Sequence, residues 1–506
     1  MSGVNSGGNS GGRAGGRSGG NVLAIDQGTS GTKALVVSPD RGTIASAEVR
    51  IRPRYGDDGL VEQDPHDLLA SLVEAGCRAL DACGEEVEAI GLANQGETVL
   101  AWDLVSGRPL TPAVVWQDRR AEAVCRRLSD HAENLAAITG LSLDAYFAAP
   151  KMTWLRENLT RDGVVTTSDA WLVHQLTGAF VTDATTASRT MLLDLDSTSW
   201  SAAAVEIFGL GSEALPEVVD VAGSFGETSL FSSPSPEGGA ARRPIPLTGL
   251  MVDQQAALLA ELCLEPGTAK CTYGTGAFLL GTVGGTSVRS TSGLTTSVAW
   301  RLGGVPTYCL DGQVFTVASA VRWLTDLGVI AGAEDLDVVG AGVPDSGGVV
   351  FVPALAGLGG PWWRGDAQGS LVGLGLDTSA GHLVRALVDG IAGQVVELVA
   401  ALAADLGRPL TSLRVDGGLT RSRLLMQTQA DLLQVPVEVY ASPDATALGV
   451  AAAARIGLDP GLGIEAALGP WAPAAVYEPS ISADEAGVRR ATFVRAVAAT
   501  LEHGRR

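Results

Sequence analysis

Two short loops of glycine and hydroxyl residues, each joined to an apolar run, constrain this chain more than any other feature. The first is Asp26-Gln27-Gly28-Thr29-Ser30-Gly31-Thr32-Lys33, directly after Val22-Leu23-Ala24-Ile25. The second is Thr272-Tyr273-Gly274-Thr275-Gly276, just before Phe278-Leu279-Leu280. A strand beside such a turn gathers backbone N–H groups and hydroxyls at one point, which is what a bound phosphate requires. One such loop would be weak evidence, because an ordinary hairpin turn has the same composition. Two, each near the start of one half of the chain, predict two lobes gripping one nucleotide. Neither loop has the G-x4-G-K-[ST] spacing of a Walker motif.

The length fits that division. At 506 residues the chain exceeds what one core can serve, so two domains of roughly 200–250 residues each are expected. A hydrophobic content of 46% is enough to fill both. The net charge of −21 argues against a nucleic-acid partner, which would need a basic face. No apolar run reads as a membrane span, and no apolar signal-peptide core stands near the N-terminus. A cytoplasmic protein without a membrane partner is therefore expected. The six cysteines are scattered without C-x2-C spacing and read as buried, reduced thiols. The five histidines are dispersed and give no zinc pattern.

Periodicity gives the organisation. Residues 1–20 hold almost only Gly, Ser, Asn and Arg and are read as a disordered tail. Short strands are expected at 22–28, 33–38 and 43–50, the last two joined at Ser38-Pro39-Asp40. Asp64-Pro65 opens a helix, with Asp64 as cap and Leu68, Leu69, Leu72 and Val73 at helical spacing. A buried strand follows at 88–94, and 227–243 reads as a surface excursion. Glu265-Pro266-Gly267 breaks the chain before a second set of elements. That set comprises strands at 277–282, 294–300, 306–310, 349–353 and 413–418, and helices at 379–404, 421–433 and 445–455. Strand, polar loop and helix alternate throughout, which predicts an α/β fold. The division expected is 1–20 as tail, 21–260 as N-terminal domain with acceptor site and first loop, 261–460 as nucleotide-binding C-terminal domain, and 461–506 as helical extension.

Several further segments, taken in order with the loops, carry a family resemblance. They are Asn94-Gln95-Gly96-Glu97-Thr98, Val115-Trp116-Gln117-Asp118-Arg119-Arg120 and Tyr146-Phe147-Ala148-Ala149-Pro150-Lys151-Met152-Thr153-Trp154. Downstream stand Asp183-Ala184-Thr185-Thr186-Ala187-Ser188-Arg189-Thr190, Asp253-Gln254-Gln255-Ala256, Gly369-Ser370-Leu371-Val372-Gly373-Leu374 with His382-Leu383, and Asp416-Gly417-Gly418. From about Val22 to about Gly457 the chain resembles the FGGY carbohydrate kinases, most closely their glycerol kinases. Ala148 departs from the family pattern, which expects Pro, Ser or Thr there. The resemblance implies two ribonuclease-H-like domains around a central cleft, as in sugar kinases, actin and heat-shock chaperone ATPases. It implies ATP-dependent phosphorylation of a hydroxyl on a small polyol or sugar, glycerol being the nearest match, with ATP and Mg2+ as cofactors. A homo-oligomer, dimer or tetramer, is also expected.

The resemblance assigns roles residue by residue. Asp253 is the general base, taking the proton of the attacking hydroxyl; its position before Gln254-Gln255-Ala256 would equally suit a helix cap. Asp26 anchors Mg2+ through water, although a turn aspartate at a strand end has the same appearance. Thr29, Ser30, Gly31 and Lys33 surround the β- and γ-phosphates, Lys33 standing where glycerol kinases often carry Arg. Thr275, with Gly274 and Gly276, holds phosphate from the other lobe. Gly418 and Ser422 flank the adenosine, and Ala318 and Arg322 match further nucleotide contacts; Ser422 and Ala318 differ from the common residue types.

The acceptor positions are Gly96, Glu97, Trp116, Tyr146, Asp253, Gln254 and Phe278, where carboxylates and an amide take hydroxyls and aromatic faces pack on C–H groups. An isolated aromatic residue would more simply be core. At Gly96, glycerol kinases have an Arg that hydrogen-bonds glycerol. Its loss predicts a wider pocket beside Gly96 and a larger acceptor, such as erythritol, threitol, xylitol or xylulose, with Arg119 or Arg120 as substitute cation. Two other classes are a nucleotide-dependent regulatory protein on the same fold and a hydrolase using Glu97 with Asp253. The second leaves both loops unexplained.

Overall fold

The computed structural model describes residues 19–231 and 242–503. The expected tail falls almost wholly, and the 227–243 excursion largely, outside the described residues. Within them the chain forms two large mixed sheets built on one plan. In the first, β1 (Asn21–Gln27), β2 (Gly31–Ser38) and β3 (Gly42–Arg50) make an antiparallel meander. β4 (Val87–Asn94) then pairs parallel to β1, and β5 (Ile245–Val252) parallel to β4. In the second, β6 (Ala269–Tyr273) and β7 (Ala277–Gly284) form the hairpin. The β8 (Thr295–Leu302) and β9 (Val305–Val314) pair lies beyond β7. β10 (Leu413–Asp416) pairs parallel to β6, and β11 (Val437–Val439) parallel to β10. The shared order of an antiparallel hairpin followed by parallel strands is the ribonuclease-H-like pattern. It places the turn after the first strand of each sheet at the same edge of its lobe.

The helices follow from local chemistry. α1 (Pro65–Cys83) begins where Asp64 accepts a hydrogen bond from the His66 N–H at 2.8 Å, with Pro65 in the first turn. Leu68, Leu72, Ala75 and Ala79 on its inner face are fully buried against β2 and β3. α4 (Ala380–Leu406), counted after α2 (Asp253–Ala260) and α3 (Ala318–Asp326), opens with a capping box between Ser379 and His382. It is long and apolar enough to cross a membrane, which the sequence alone did not register. The reason for its composition is burial: Val384, Leu387, Ile391, Val395, Leu398 and Leu402 fill the core of the second lobe with Leu279, Leu310 and Val415. Truncating one of those leucines to Ala would cost about 2–5 kcal/mol.

α5 (Arg423–Leu433) is preceded by a single 3-10 turn, Gly418–Arg421, so the helix starts later than its periodicity suggests. α6 (Ala445–Leu458) crosses between the lobes. Although it lies in the C-terminal part of the sequence, its Val450, Ala451, Ala453 and Ala454 pack on Val22, Ala24, Ala89 and Ala93 of the first sheet. The approach is close because Gly449 has no side chain: a Cβ there would stand 1.8 Å from the Ala256 carbonyl oxygen. α7 (Ala483–His503) closes the described chain against the second lobe. All six cysteines are free; Cys263, Cys271 and Cys309 are buried, while Cys77, Cys83 and Cys125 are only half-buried.

Candidate active site

Both glycine loops are hairpin turns, and both face the cleft between the sheets. In the first, the Gly28 N–H donates to the Gly31 carbonyl at 3.0 Å, and Asp26 stands opposite Lys33 on the ladder. In the second, the Gly274 N–H donates to the Gly276 carbonyl at 2.9 Å. Asp26 accepts no side-chain hydrogen bond among the described residues. Burial, reinforced by the nearby Asp253, Asp444 and Asp416 and opposed by Lys33, raises its pKa to about 7. Lys33 pairs with Asp444, the residue just before α6, so the loop is tied to the helix that backs its own sheet.

Beside the first loop lies a small cavity of about 80 Å³, and Thr275 and Gly276 of the second line a neighbouring cleft of about 400 Å³ that shares Trp116, Tyr146 and Phe278 with it. The walls of the small cavity bring together most of the acceptor positions read from the sequence: Glu97, Trp116, Tyr146, Asp253, Gln254 and Phe278, with Thr29 of the first loop. The three rings meet edge to face. Trp116 lies 5.6 Å from Tyr146 at 75° and 6.1 Å from Phe278 at 78°, centroid to centroid. Trp116 also joins the two ends of the site. Its Nε1 donates to Thr29 Oγ1 at 2.8 Å, which donates to Gln95 Oε1 at 3.0 Å. Gln95 Nε2 donates to Gln63 Oε1 at 2.9 Å, and Gln63 Nε2 returns to the Thr29 carbonyl at 2.8 Å.

Gly96 does not line this cavity. Its backbone is left-handed, at φ +59°, and its N–H donates to Asn94 Oδ1 at 2.8 Å. A Cβ there would meet Val252 Cγ2 at 2.8 Å. The widening expected beside Gly96 is therefore not found, because Val252 takes the space. Nor do Arg119 and Arg120 reach the cavity. Arg119 is held by Glu122 and Asp144 in the neighbouring cleft. Arg120 is clamped between Asp118 and Glu62 and lies 4.8 Å over the Trp154 ring.

The electrostatics are set by burial. Asp253 opens α2, with the Gln254 N–H donating to its Oδ1 at 2.6 Å. Burial raises its pKa to about 6, and Lys270 is the strongest influence holding it down. Lys270, fully buried on β6, donates to Gln254 Oε1 at 2.6 Å and to Thr272 Oγ1 at 2.8 Å. Glu97 is pushed up to about 7 by burial, against the pull of Arg189. Lys151, also fully buried, donates to the Ala145 carbonyl at 2.9 Å and to those of Tyr146 and Phe147, fixing the backbone that presents the Tyr146 ring. Sequence reasoning assigned none of these cations a role. The available signal was an isolated lysine or arginine among apolar residues, a type that is almost never buried without a partner.

On the nucleotide side, Thr275 is exposed at the tip of the second hairpin. Ala318 begins α3, its N–H donating to the Gly274 carbonyl at 3.2 Å, and Arg322 is exposed one turn further on. Gly418 is exposed beyond β10. Ser422 is committed elsewhere: its hydroxyl donates to Asp337 Oδ1 at 2.6 Å and accepts the Leu425 N–H at 3.2 Å as the cap of α5. None of these residues lines the cavity that holds Asp253.

The N-terminal domain of the FGGY family of carbohydrate kinases matches residues 21–260, and the C-terminal domain of that family matches residues 269–458. A glycerol kinase of Aromatoleum aromaticum is 42% identical over 492 residues, covering 94% of this chain and 98% of its own. One from Myxococcus xanthus is 40% identical over the same shares of both chains. The crystal structure of Plasmodium falciparum glycerol kinase with ADP superposes with a TM-score of 0.86 at 30% identity, covering 95% of this chain and 98% of that one.

Proposed function

This chain belongs to the FGGY family of carbohydrate kinases, and from that premise we propose that it phosphorylates glycerol with the γ-phosphate of ATP, using Asp253 as general base. That it is an ATP-dependent kinase for a small polyol or sugar follows from the family and from relatives matched over nearly their whole length. The observation that carries the finer reading is the single small cavity holding Asp253, Glu97 and Gln254 among three aromatic rings, with Thr29 on its wall. The absence of space beside Gly96, where Val252 stands, favours a three-carbon acceptor over a longer one.

The chemistry follows from the groups present. A hydroxyl of the acceptor lies against Asp253, which takes its proton as the oxygen attacks the γ-phosphorus. The new O–P bond forms as the bond to the β-phosphate oxygen breaks, leaving ADP. Lys270 holds Asp253 nearer its charged form and orients Gln254. Thr29, Ser30, Gly31 and Lys33 approach the transferred phosphoryl group from one lobe, Thr275 from the other. Ala318, Arg322, Gly418 and Ser422 are assigned to the nucleotide.

Asp26 suits a Mg2+ ion. Among the described residues no three His, Cys, Asp or Glu side chains are arranged to hold a metal unaided. Asp26 is a carboxylate that accepts no side-chain hydrogen bond among the described residues, repelled by three other acids, and a cation bound through water and phosphate oxygens would relieve that repulsion. Such an ion would offset charge on the phosphates during transfer. The domain division proposed is 21–260 for the acceptor and first loop, 261–460 for the nucleotide, and 461–506 as extension.

An acceptor screen tests the reading. Glycerol is expected to be the fast substrate among glycerol, erythritol, threitol, xylitol, ribitol and xylulose. A longer polyol turned over faster would replace it. Asp253→Asn is expected to lower kcat by about 10²–10⁴-fold, and near-normal turnover would remove Asp253 as base.

A further inference from the structure

We propose that Arg189 is an acceptor-binding residue that holds a hydroxyl of the polyol other than the one phosphorylated. The inference rests on the glycerol reading above. Arg189 follows the short Ala184–Ser188 helix and is 5% exposed. Its Nε donates to Glu97 Oε1 at 2.7 Å, and its Nη1 donates to Asp311 Oδ2. Tyr146 and Phe147 lie under the guanidinium, with ring centroids 5.7 and 5.1 Å from its central carbon. The side chain lines the same cavity as Asp253 and Gln254.

The hydrogen-bond account is incomplete without a ligand. Nη2 has no partner among the described residues, and neither has Glu97 Oε2. Neither atom is sealed from solvent; they stand as an unused donor and an unused acceptor on the cavity wall. A hydroxyl group supplies both: its oxygen accepts from Nη2 and its hydrogen goes to Oε2. Water could do the same, but a cavity walled by three rings and closed by Asp253 presents this donor–acceptor pair to a polyol. The fork is also fixed in direction. Glu97 belongs to the first lobe and Asp311 to β9 of the second. Asp311 is itself held by Thr295 Oγ1 at 2.7 Å and Gln313 Nε2 at 3.3 Å. Arg189 therefore reads a hydroxyl only when both lobes are in place around it.

The test uses the full chain with glycerol, propane-1,2-diol, which lacks one terminal hydroxyl, and propane-1,3-diol, which lacks the middle one. If the parent enzyme does not phosphorylate glycerol, the acceptor reading fails and this proposal falls with it. Given glycerol turnover, Arg189→Lys keeps a charge but loses the fork. It is expected to lower kcat/KM for glycerol about ten- to a hundredfold, the range of one charge-assisted hydrogen bond, with KM for ATP unchanged. Preference for glycerol over one of the two diols should collapse by the same factor, and that diol identifies the hydroxyl held. An equal loss on all three acceptors, or an undiminished preference for glycerol over both diols, overturns the proposal. Should Arg189→Lys fail to fold, Arg189→Gln combined with Asp311→Asn removes the Arg189–Asp311 ion pair without leaving Asp311 charged, and the same two outcomes decide.

Discussion

The two hairpins are the same piece of backbone used twice, and the difference between them lies in one rung of the ladder. In the first, Asp26 faces Lys33; in the second, at the matching rung, Thr272 faces Phe278. The strand beside each hairpin shows the inverse. Ala93 neighbours Asp26, whereas Asp416 neighbours Thr272. The first turn is thus a charged device and the second a neutral one, whose Phe278 serves the acceptor cavity instead. The repeated fold supplies two glycine hairpins of like geometry. The side chains on that single rung are what distinguish the two turns.

The largest expected effect separates the two turns directly. Asp26→Asn should lower kcat by about 10²–10³-fold, on the scale of losing one group that stabilises transition-state charge. Thr275→Ala should leave kcat nearly intact and raise KM for ATP about tenfold, as for one hydrogen bond to a charged group. A fall in kcat as deep in Thr275→Ala as in Asp26→Asn would break the contrast.

The pH profile sharpens it. Asp253 must be charged to act as base, so kcat/KM is expected to fall as pH drops through about 6. Lys270→Met removes the strongest influence lowering that value, and the acid limb should move to higher pH.

Stability should run the other way. Asp26 is raised from 3.8 to about 7, so folding favours its protonated form, and the benefit is lost as pH rises between those values. Asp26→Asn should therefore raise the Tm of the ligand-free protein at pH 8 by on the order of a few degrees, and make little difference at pH 4. A lower Tm at pH 8 would show that the carboxylate has a stabilising partner. The smallest effect is expected at Lys33→Ala. Its partly exposed pair with Asp444 should cost no more than about 1 kcal/mol in denaturant unfolding.

Much of this could be read from the chain itself, and where it could not the reason is physical. The Asp64 cap, the three-strand meander and α6 follow from neighbours within a few residues, which sequence displays directly. The gathering of Glu97, Trp116, Tyr146, Asp253, Gln254 and Phe278 was legible through resemblance alone, because nothing local brings such distant residues together. Arg189 and Lys270 escaped for the same reason. Their partners lie on other strands and the other lobe, and periodicity carries no sign of them. Gly96 misled because a missing side chain suggests a void, whereas a neighbouring valine had closed it. The helix at 379–404 was expected, but its membrane-spanning apolar length was not, because its apolar run is interrupted by a few polar residues that the core accommodates.

One consequence of α6 concerns the order in which this protein can be made. The sheet that opens the chain is covered on one face by a helix that comes after residue 444. A ribosome delivering the chain from its N-terminus completes the first five strands long before their cover exists. Val22, Ala24, Ala89 and Ala93 must wait for Val450 and Ala454. The first lobe therefore cannot finish folding during synthesis as an N-terminal unit of its own. Release of nearly the whole chain is the event that seals it, and residues 21–260 produced alone would carry an open apolar face and aggregate.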